Sequence, residues 1–390
     1  MPKKMIFFGE PDMGSDERRA IEAVLRSNWI GFGNESIKFE RELVDYLGVK
    51  DGALLNSCTA ALHLALILNG VMPSDEIITT PLTFAATANV VLYMGAKPVF
   101  VDIKADTLNI DEDKIEKAIT PKTKGIIVVH FGGLPCNMRA INRIARKHNI
   151  FVVEDAAHAI GARIGNRMVG DSSNITCFSF YANKNLTTAD GGFLASNDSS
   201  KIKRAKILRL HGLSNDAWDR FRKRDILINE VVELGYKYNI NDIVSAMGRV
   251  QLRRLEKSLS IRERYARLYD AVFSKIEGVS LQSKFQDGYR HSLHLYTLVL
   301  DPERFKVGRD EIVRALRDNG IFAVVHYKPI HLHKLYREKF GYELGNFLCA
   351  ERVGSNILTL PLLPQMSQRQ AQNIASVTRE ILQGYAKRSL

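Results

Sequence analysis

The chain has 390 residues, 45% of them hydrophobic and 25% charged, which supplies a substantial core and excludes a disordered chain. Its formal net charge of +12 is scattered, with local clusters at Arg220–Arg224 and Arg253–Arg264 that lack the interleaved aromatics of a single-strand binder; a solvated basic surface or a phosphorylated small ligand is expected, not nucleic acid. Four cysteines form no C-x-x-C pair, so zinc and thioredoxin-type chemistry have no support, and neither the four-residue apolar stretch in MPKKMIFFGEPDMG nor any later run suits a secretory signal or a membrane span, which makes a cytoplasmic protein the expectation.

In chain order, residues 15 to 47 read as helix, turn, helix. Ser15 is expected to cap the first, with Asp16 and Glu17 at its positive end and Ala20, Ile21, Val24 and Leu25 as its apolar stripe. The turn is Trp29-Ile-Gly-Phe-Gly-Asn34. From residue 53 to 196 short apolar runs alternate with helical patterns. Strands are expected at Ala53–Leu55, Glu76–Thr79, Pro98–Val101, Gly125–Val129, Phe151–Glu154, Ile175–Phe178 and Phe193–Ala195. Helices are expected at Thr59–Leu68, Thr83–Met94, Asp111–Ile119 and Met138–Lys147. This alternation predicts an α/β fold with a mostly parallel seven-stranded sheet sandwiched by helices, and ligands bind such sheets at the carboxyl ends of the strands.

The segments that follow those strands carry the chemistry. Asn56-Ser-Cys-Thr-Ala-Ala-Leu-His63 places small polar residues where a strand opens into a helix. That is either an ordinary cap or a phosphate cup of free N–H groups and hydroxyls. Val152-Val-Glu-Asp-Ala-Ala-His158 ends an apolar strand in two carboxylates. Asp155 then needs a cationic or proton-donating partner, which a structural ion pair or a protonated pyridine nitrogen can supply. Cys177 to Gly192 delivers Lys184 into a polar turn before Gly191-Gly192 and another strand. A desolvated amine there can form an imine, although a solvated loop lysine shows the same local pattern. Gly235-Tyr-Lys-Tyr-Asn-Ile-Asn-Asp242 precedes a long helix that Asn241 or Asp242 can cap. In this order, a cup, a strand-end carboxylate and a lysine after the next strand are the parts a pyridoxal-5′-phosphate (PLP) site needs.

Beyond Asn239 the pattern changes. Ile243–Leu259 reads as one long helix, and Arg262–Phe273 as its continuation or a second. His294–Leu300 and Ile321–His326 alternate like strands, and Asp310–Asp318 and Gln368–Leu382 read as helices. A large domain over 1–250 and a smaller C-terminal α+β domain over 251–390 are expected. His331-Leu-His333 with His326 invites a metal reading, but no carboxylate spacing accompanies it, so no metal is expected. Gly31-Phe-Gly33 lacks the rest of a dinucleotide fingerprint.

Over nearly its whole length, from Trp29-Ile-Gly-Phe-Gly to Leu360-Pro-Leu-Leu-Pro364, the sequence resembles the PLP-dependent sugar-nucleotide aminotransferases of fold type I. The resemblance rests on Asn56–Leu64, Pro81–Ala86, Gly95–Val99, Glu154–Gly161, Phe178–Gly192, His211-Gly-Leu, Asp216–Arg220 and Gly235–Asp242. It implies that Lys184 holds the cofactor as an imine and shuttles protons, that Asp155 partners the pyridine nitrogen, and that His158 contacts the ring near its phenolic oxygen. It also implies that Phe84 stacks on the ring. Ser57, Cys58 and Ser179 match the phosphate cup, although relatives often carry alanine or glycine where Cys58 stands. Asn239 matches an asparagine that reaches the phosphate from a neighbouring subunit, so a homodimer with shared sites is implied. Gly31, Phe32, Gly33, Arg220, His326 and His331 match segments lining the sugar-nucleotide pocket.

The implied reaction moves an amino group from glutamate to a keto-sugar nucleotide. The forms Glu154–His158, Phe180–Asn185 and Gly235–Asn239 look closest to enzymes acting on UDP-4-keto sugars, the 4-amino-arabinose branch of lipid A above all. Two other readings stay open. A PLP-dependent sugar dehydratase carries a histidine where Lys184 stands here. A non-enzymatic PLP-binding regulator usually carries an added DNA-binding segment, and none is legible before residue 15.

Overall fold

The computed structural model describes residues 5–214, 230–283 and 288–387. A seven-stranded sheet organises most of it. In chain order its strands are β1 (Asp51–Leu55), β2 (Glu76–Thr79), β3 (Lys97–Phe100), β4 (Thr123–Val129) and β5 (Phe151–Asp155). After the short β6 (Arg163–Ile164) and β7 (Arg167–Met168), which lie outside this sheet, come β8 (Ile175–Ser179) and β9 (Gly192–Ser196). In space the order is β1-β9-β8-β5-β4-β2-β3. The strands from β8 to β3 pair in parallel, and β9 alone runs against both of its neighbours, β8 and β1.

The strands are short apolar runs because helices cover both faces of the sheet. Alternate residues divide between two cores, as the two-residue strand period requires. Ile77, Ile127 and Val153 pack with the helices Cys58–Leu68 and Ser199–Leu208. Ile78, Ile126, Val128 and Val152 pack with the helix Met138–Lys147. Leu54, Phe178 and Phe193 pack under the helix Asn34–Leu47. The expected strands and the helices Cys58–Leu68 and Met138–Lys147 stand within a residue or two of their predicted bounds. The helix expected from Thr83 begins at Ala85, with Phe84 as its cap. The first helix is capped by Gly14 instead of Ser15; the Gly14 N–H donates to Glu17 Oε2 at 2.8 Å.

The chain then leaves the sheet in one unbroken helix of 32 residues, Asp242–Phe273, so Arg262 continues the helix and begins no second one. Its earlier turns give Leu255 and Leu259 to the core under Asn34–Leu47, and its later turns give Tyr265, Tyr269 and Phe273 to a separate core. β10 (Val279–Leu281) belongs to that second core. The next strand, β11 (Tyr289–Arg290), pairs with β6. β12 (Tyr296–Leu300) and β13 (Ile357–Leu360) complete a three-stranded antiparallel sheet in the order β10-β12-β13, covered by the helices Arg309–Asp318 and Gln368–Tyr385.

The strand expected at Ile321–His326 is replaced by two isolated bridges, Ile6 to Ile321 and Val324 to Thr359. β13 is laddered along its length with β12 and meets this segment only at Thr359, so no ladder forms. The segment instead carries His326 and Tyr327 to the open edge of the large sheet.

Candidate active site

Every parallel strand of the large sheet ends at the same edge, and β9, being reversed, begins there. The connections after β1, β2, β5 and β8, and the residues just before β9, therefore converge on one hollow of about 450 Å³. Ser57, Cys58, Phe84, Asp155, His158, Ser179, Lys184 and His326 all line it. So do Thr87, Tyr181, Asn183 and Tyr327, which the sequence did not single out.

At the end of β1, Ser57 caps the helix Cys58–Leu68, its Oγ accepting from the Ala60 N–H at 3.1 Å. The first N–H groups of that helix point at its open end, where an anion is favoured. Gly192 opens β9 directly against this turn. A Cβ built there would stand 2.3 Å from the Ser57 carbonyl carbon and 2.5 Å from the Cys58 nitrogen, so only glycine permits the approach. Ser179, at the end of β8, adds a hydroxyl to the same wall.

Asp155 ends β5. It is buried, accepting from Thr87 Oγ1 at 2.8 Å and from the Ala157 N–H at 3.1 Å. Thr83 Oγ1 lies 2.8 Å from Thr87 Oγ1 and extends the chain. Burial pushes the Asp155 carboxyl up, against those bonds and the charge of Lys184. Glu154, one residue earlier, faces the other side of the sheet. Burial would raise its carboxyl too, but His130 Nε2 at 3.0 Å, Asn174 Nδ2 at 2.7 Å and Ser172 Oγ at 2.8 Å hold it below the usual range. The pair of adjacent carboxylates is thus split into a fully satisfied structural one and one that, among the described residues, lacks a cation within hydrogen-bond reach.

Lys184 sits in the turn after β8, its N–H donating to the Tyr181 carbonyl at 2.9 Å. Desolvation lowers its ammonium to about 8, offset in part by Cys58 and Asp155. An amine so tuned is partly free base near neutrality and can attack a carbonyl. Burial also pushes His158 well down and His326 to about 3, with Lys184 adding in each case, so both rings are neutral. Phe84 stands at the mouth, 62% exposed, its ring 6.2 Å from that of Tyr327.

Not every predicted residue reaches this hollow. Gly31, Phe32 and Asn239 line a separate one of about 410 Å³ with Lys206, Arg209 and Lys237. Gly33 is held beside it because the buried Asp242 carboxylate accepts from the N–H groups of Gly33 at 2.8 Å, Glu35 at 3.1 Å and Ser36 at 2.9 Å. Asp242 thus caps the helix Asn34–Leu47 from a distance, while Asn241 caps the helix it opens. Asn239 Oδ1 is buried without a partner among the described residues. His331 is buried away from both hollows, its Nε2 2.9 Å from Glu351 Oε1. Arg220 lies outside the described residues. Among the described residues no group of three His, Cys, Asp or Glu is arranged to hold a metal, and no helix is long and apolar enough to cross a membrane.

Thr87 left a trace in the sequence, since Thr83 and Thr87 recur at helical spacing in an apolar stretch. Tyr327 left none, because only the bridged path of residues 321–327 brings it to the sheet edge.

The model of the DegT/DnrJ/EryC1/StrS aminotransferase family matches residues 11–379. The spore coat polysaccharide biosynthesis protein SpsC of Bacillus subtilis is 41% identical over 375 residues, covering 96% of each chain. Among solved structures, Helicobacter pylori PseC, an aminotransferase involved in the biosynthesis of pseudoaminic acid, superposes with a TM-score of 0.90 at 32% identity, over 98% of this chain and 100% of that one. The PMP form of Spr1654 from Streptococcus pneumoniae superposes with a TM-score of 0.91 at 32% identity, over 97% of this chain and 99% of that one. The PLP form of the same protein superposes as well, with a TM-score of 0.90 at 31% identity.

Proposed function

The chain belongs to the DegT/DnrJ/EryC1/StrS aminotransferase family and is a PLP-dependent sugar aminotransferase; from that premise we propose that it transfers the amino group of glutamate to the C-4 carbonyl of a keto-sugar nucleotide. One observation carries the assignment of roles. A lysine whose ammonium is brought down to about 8 and a desolvated carboxylate without a cation line the same hollow, at the ends of neighbouring strands.

The residues present fit the cofactor. Asp155 is a buried carboxylate short of a cation, which a protonated pyridine nitrogen supplies. Only glycine at 192 lets β9 lie against the Ser57–Cys58 backbone, and the helix N-terminus and hydroxyls beside it suit a phosphate. Bound there, PLP supplies an aldehyde that carries the amino group and a protonated ring that draws electrons from the reacting carbon. Asp155 would keep the proton on the ring nitrogen. Ser57, Cys58 and Ser179 would hold the phosphate, Phe84 would cover the ring, and His158 would stand near its phenolic oxygen. Lys184 would hold the cofactor through its Nζ and move the proton at the substrate carbon.

The separate hollow of Gly31, Phe32 and Asn239 supports a homodimer. Its lining includes Asn239, whose Oδ1 has no partner among the described residues, and the basic Lys206 and Lys237, suited to the phosphates of a partner subunit's ligand. Gly33, Arg220 and His326 complete the proposed sugar-nucleotide contacts, of which His326 lies in the hollow of this chain; His331, fully buried against Glu351, is not among them.

The deciding experiment incubates the holoenzyme with glutamate and a panel of UDP-, GDP- and dTDP-linked 4-keto and 3-keto sugars, read by mass spectrometry. An amino sugar from a 4-keto substrate is expected. A deoxy sugar, or amination confined to 3-keto substrates, would overturn the proposal.

A further inference from the structure

His158 has no free ring nitrogen to offer a ligand. Its Nδ1 faces the Gly132 N–H at 3.3 Å, and its Nε2 faces the Tyr327 hydroxyl at 3.2 Å. A backbone N–H only donates, so Nδ1 is the acceptor, and the single proton of the neutral ring belongs on Nε2. Nε2–H then donates to Tyr327 Oη. With that lone pair used, the phenolic hydrogen turns away from His158. The ring plane of His158 lies 17° from that of Tyr327, and Phe131 stands edge-on to Tyr327 with centroids 6.2 Å apart, which fixes the phenol. Tyr327 lines the hollow that Asp155 and Lys184 share.

We infer that Tyr327 is the residue that donates a hydrogen bond to an oxygen of the ligand in this hollow, with His158 as the positioning residue that aims its hydroxyl. The acceptor is an electron-rich oxygen, on the cofactor ring or on a substrate. Burial, with Asp155 adding, holds the Tyr327 hydroxyl above its ordinary range, so it stays a donor throughout the working pH range. The other titratable groups around the pair are Lys184, His291, His326, whose ring is edge-on to Tyr327, and His294, whose ring centroid is 4.6 Å from that of His158. His294 and His326 are pushed down by burial, so neither competes as a charged donor. The inference rests on reading this hollow as the PLP site, and it moves the contact with the ligand from the histidine to a tyrosine.

The test has an arm that needs no cofactor. In the cofactor-free protein labelled with ¹⁵N-histidine, His158 should show a protonated Nε2 and a bare Nδ1; the opposite tautomer overturns the inference. In the holoenzyme, Tyr327→Phe keeps the ring and removes the hydroxyl. If the acceptor is on the cofactor, the pH midpoint of the bound cofactor's visible band rises by about one unit, because a donor that stabilised the deprotonated form is lost. If the acceptor is on a substrate, the band stays and the KM of that substrate rises about tenfold, as loss of one hydrogen bond predicts. His158→Leu should reproduce the effect, and the double variant should add nothing to it. An unchanged midpoint with every KM and kcat within twofold, or additive effects in the double variant, refutes it. Borohydride reduction of each variant, with the adduct located on Lys184 by peptide mass, tells this failure apart from failure of the cofactor assignment.

Discussion

At the scale of single residues, the site works by giving like groups unlike surroundings. Glu154 and Asp155 are neighbours in sequence, yet one is saturated by His130, Ser172 and Asn174 and the other waits for a cation. Asp155→Ala should leave the fold intact and lower transamination by about 10²–10³-fold, the range for loss of one electrostatic stabiliser, as read by single-turnover kinetics with glutamate. Glu154→Ala should instead lower the melting temperature, because it strands the buried donors of His130 and Asn174. If the two variants exchanged phenotypes, the division of labour would be wrong. Asp155 and Lys184 were legible in the sequence because apolar runs mark strands and strand ends mark the ligand edge. Tyr327 and the remote capping by Asp242 were not, since both depend on contacts between segments far apart in the chain, and no local pattern encodes those.

At the scale of elements, the junction of β9 with the helix Cys58–Leu68 decides whether an anion can be seated. The backbone of Gly192 lies so close to Ser57 and Cys58 that one added methyl must displace β9 or the helix terminus. Gly192→Ala is expected to weaken cofactor retention at least tenfold, measured by equilibrium dialysis against PLP, with a smaller effect on melting of the cofactor-free protein. Retention equal to that of the parent would remove this junction from the phosphate site. The periodicity of residues 53–196 revealed these elements well because each is short, apolar and bounded by polar turns. Residues 321–326 misled because alternation alone does not keep a segment alongside its neighbour: β13 ends its sheet, yet this segment meets it only at Thr359.

At the scale of the whole molecule, several histidines are buried in the neutral state. His158, His294 and His326 are all pushed down by desolvation, whereas in the unfolded chain each returns to about 6.5. Below that value the unfolded state takes up protons that the native state refuses, so native stability falls with falling pH. The slope is at most about 1.4 kcal/mol per pH unit for each histidine. Below the ordinary carboxylate range, Glu154 and Glu351, both held down in the native state, lose their contribution as well, while Asp155, held up, acts in the opposite sense. Urea midpoints should therefore drop between about pH 7.5 and pH 5.5; a flat profile over that window would show that these rings are solvated or already charged in the native protein.

The reversed strand also constrains how the chain is made. β1 is an edge strand whose one partner is β9, and Asp51 meets Ser196 only after some 145 intervening positions have been synthesised. While those positions emerge from the ribosome, Ala53–Leu55 is an apolar ribbon with no ladder to join. Nascent chains arrested before residue 192 should thus be captured by chaperones that grip extended apolar segments, and release should coincide with the arrival of the last strand, the one that also closes the anion seat.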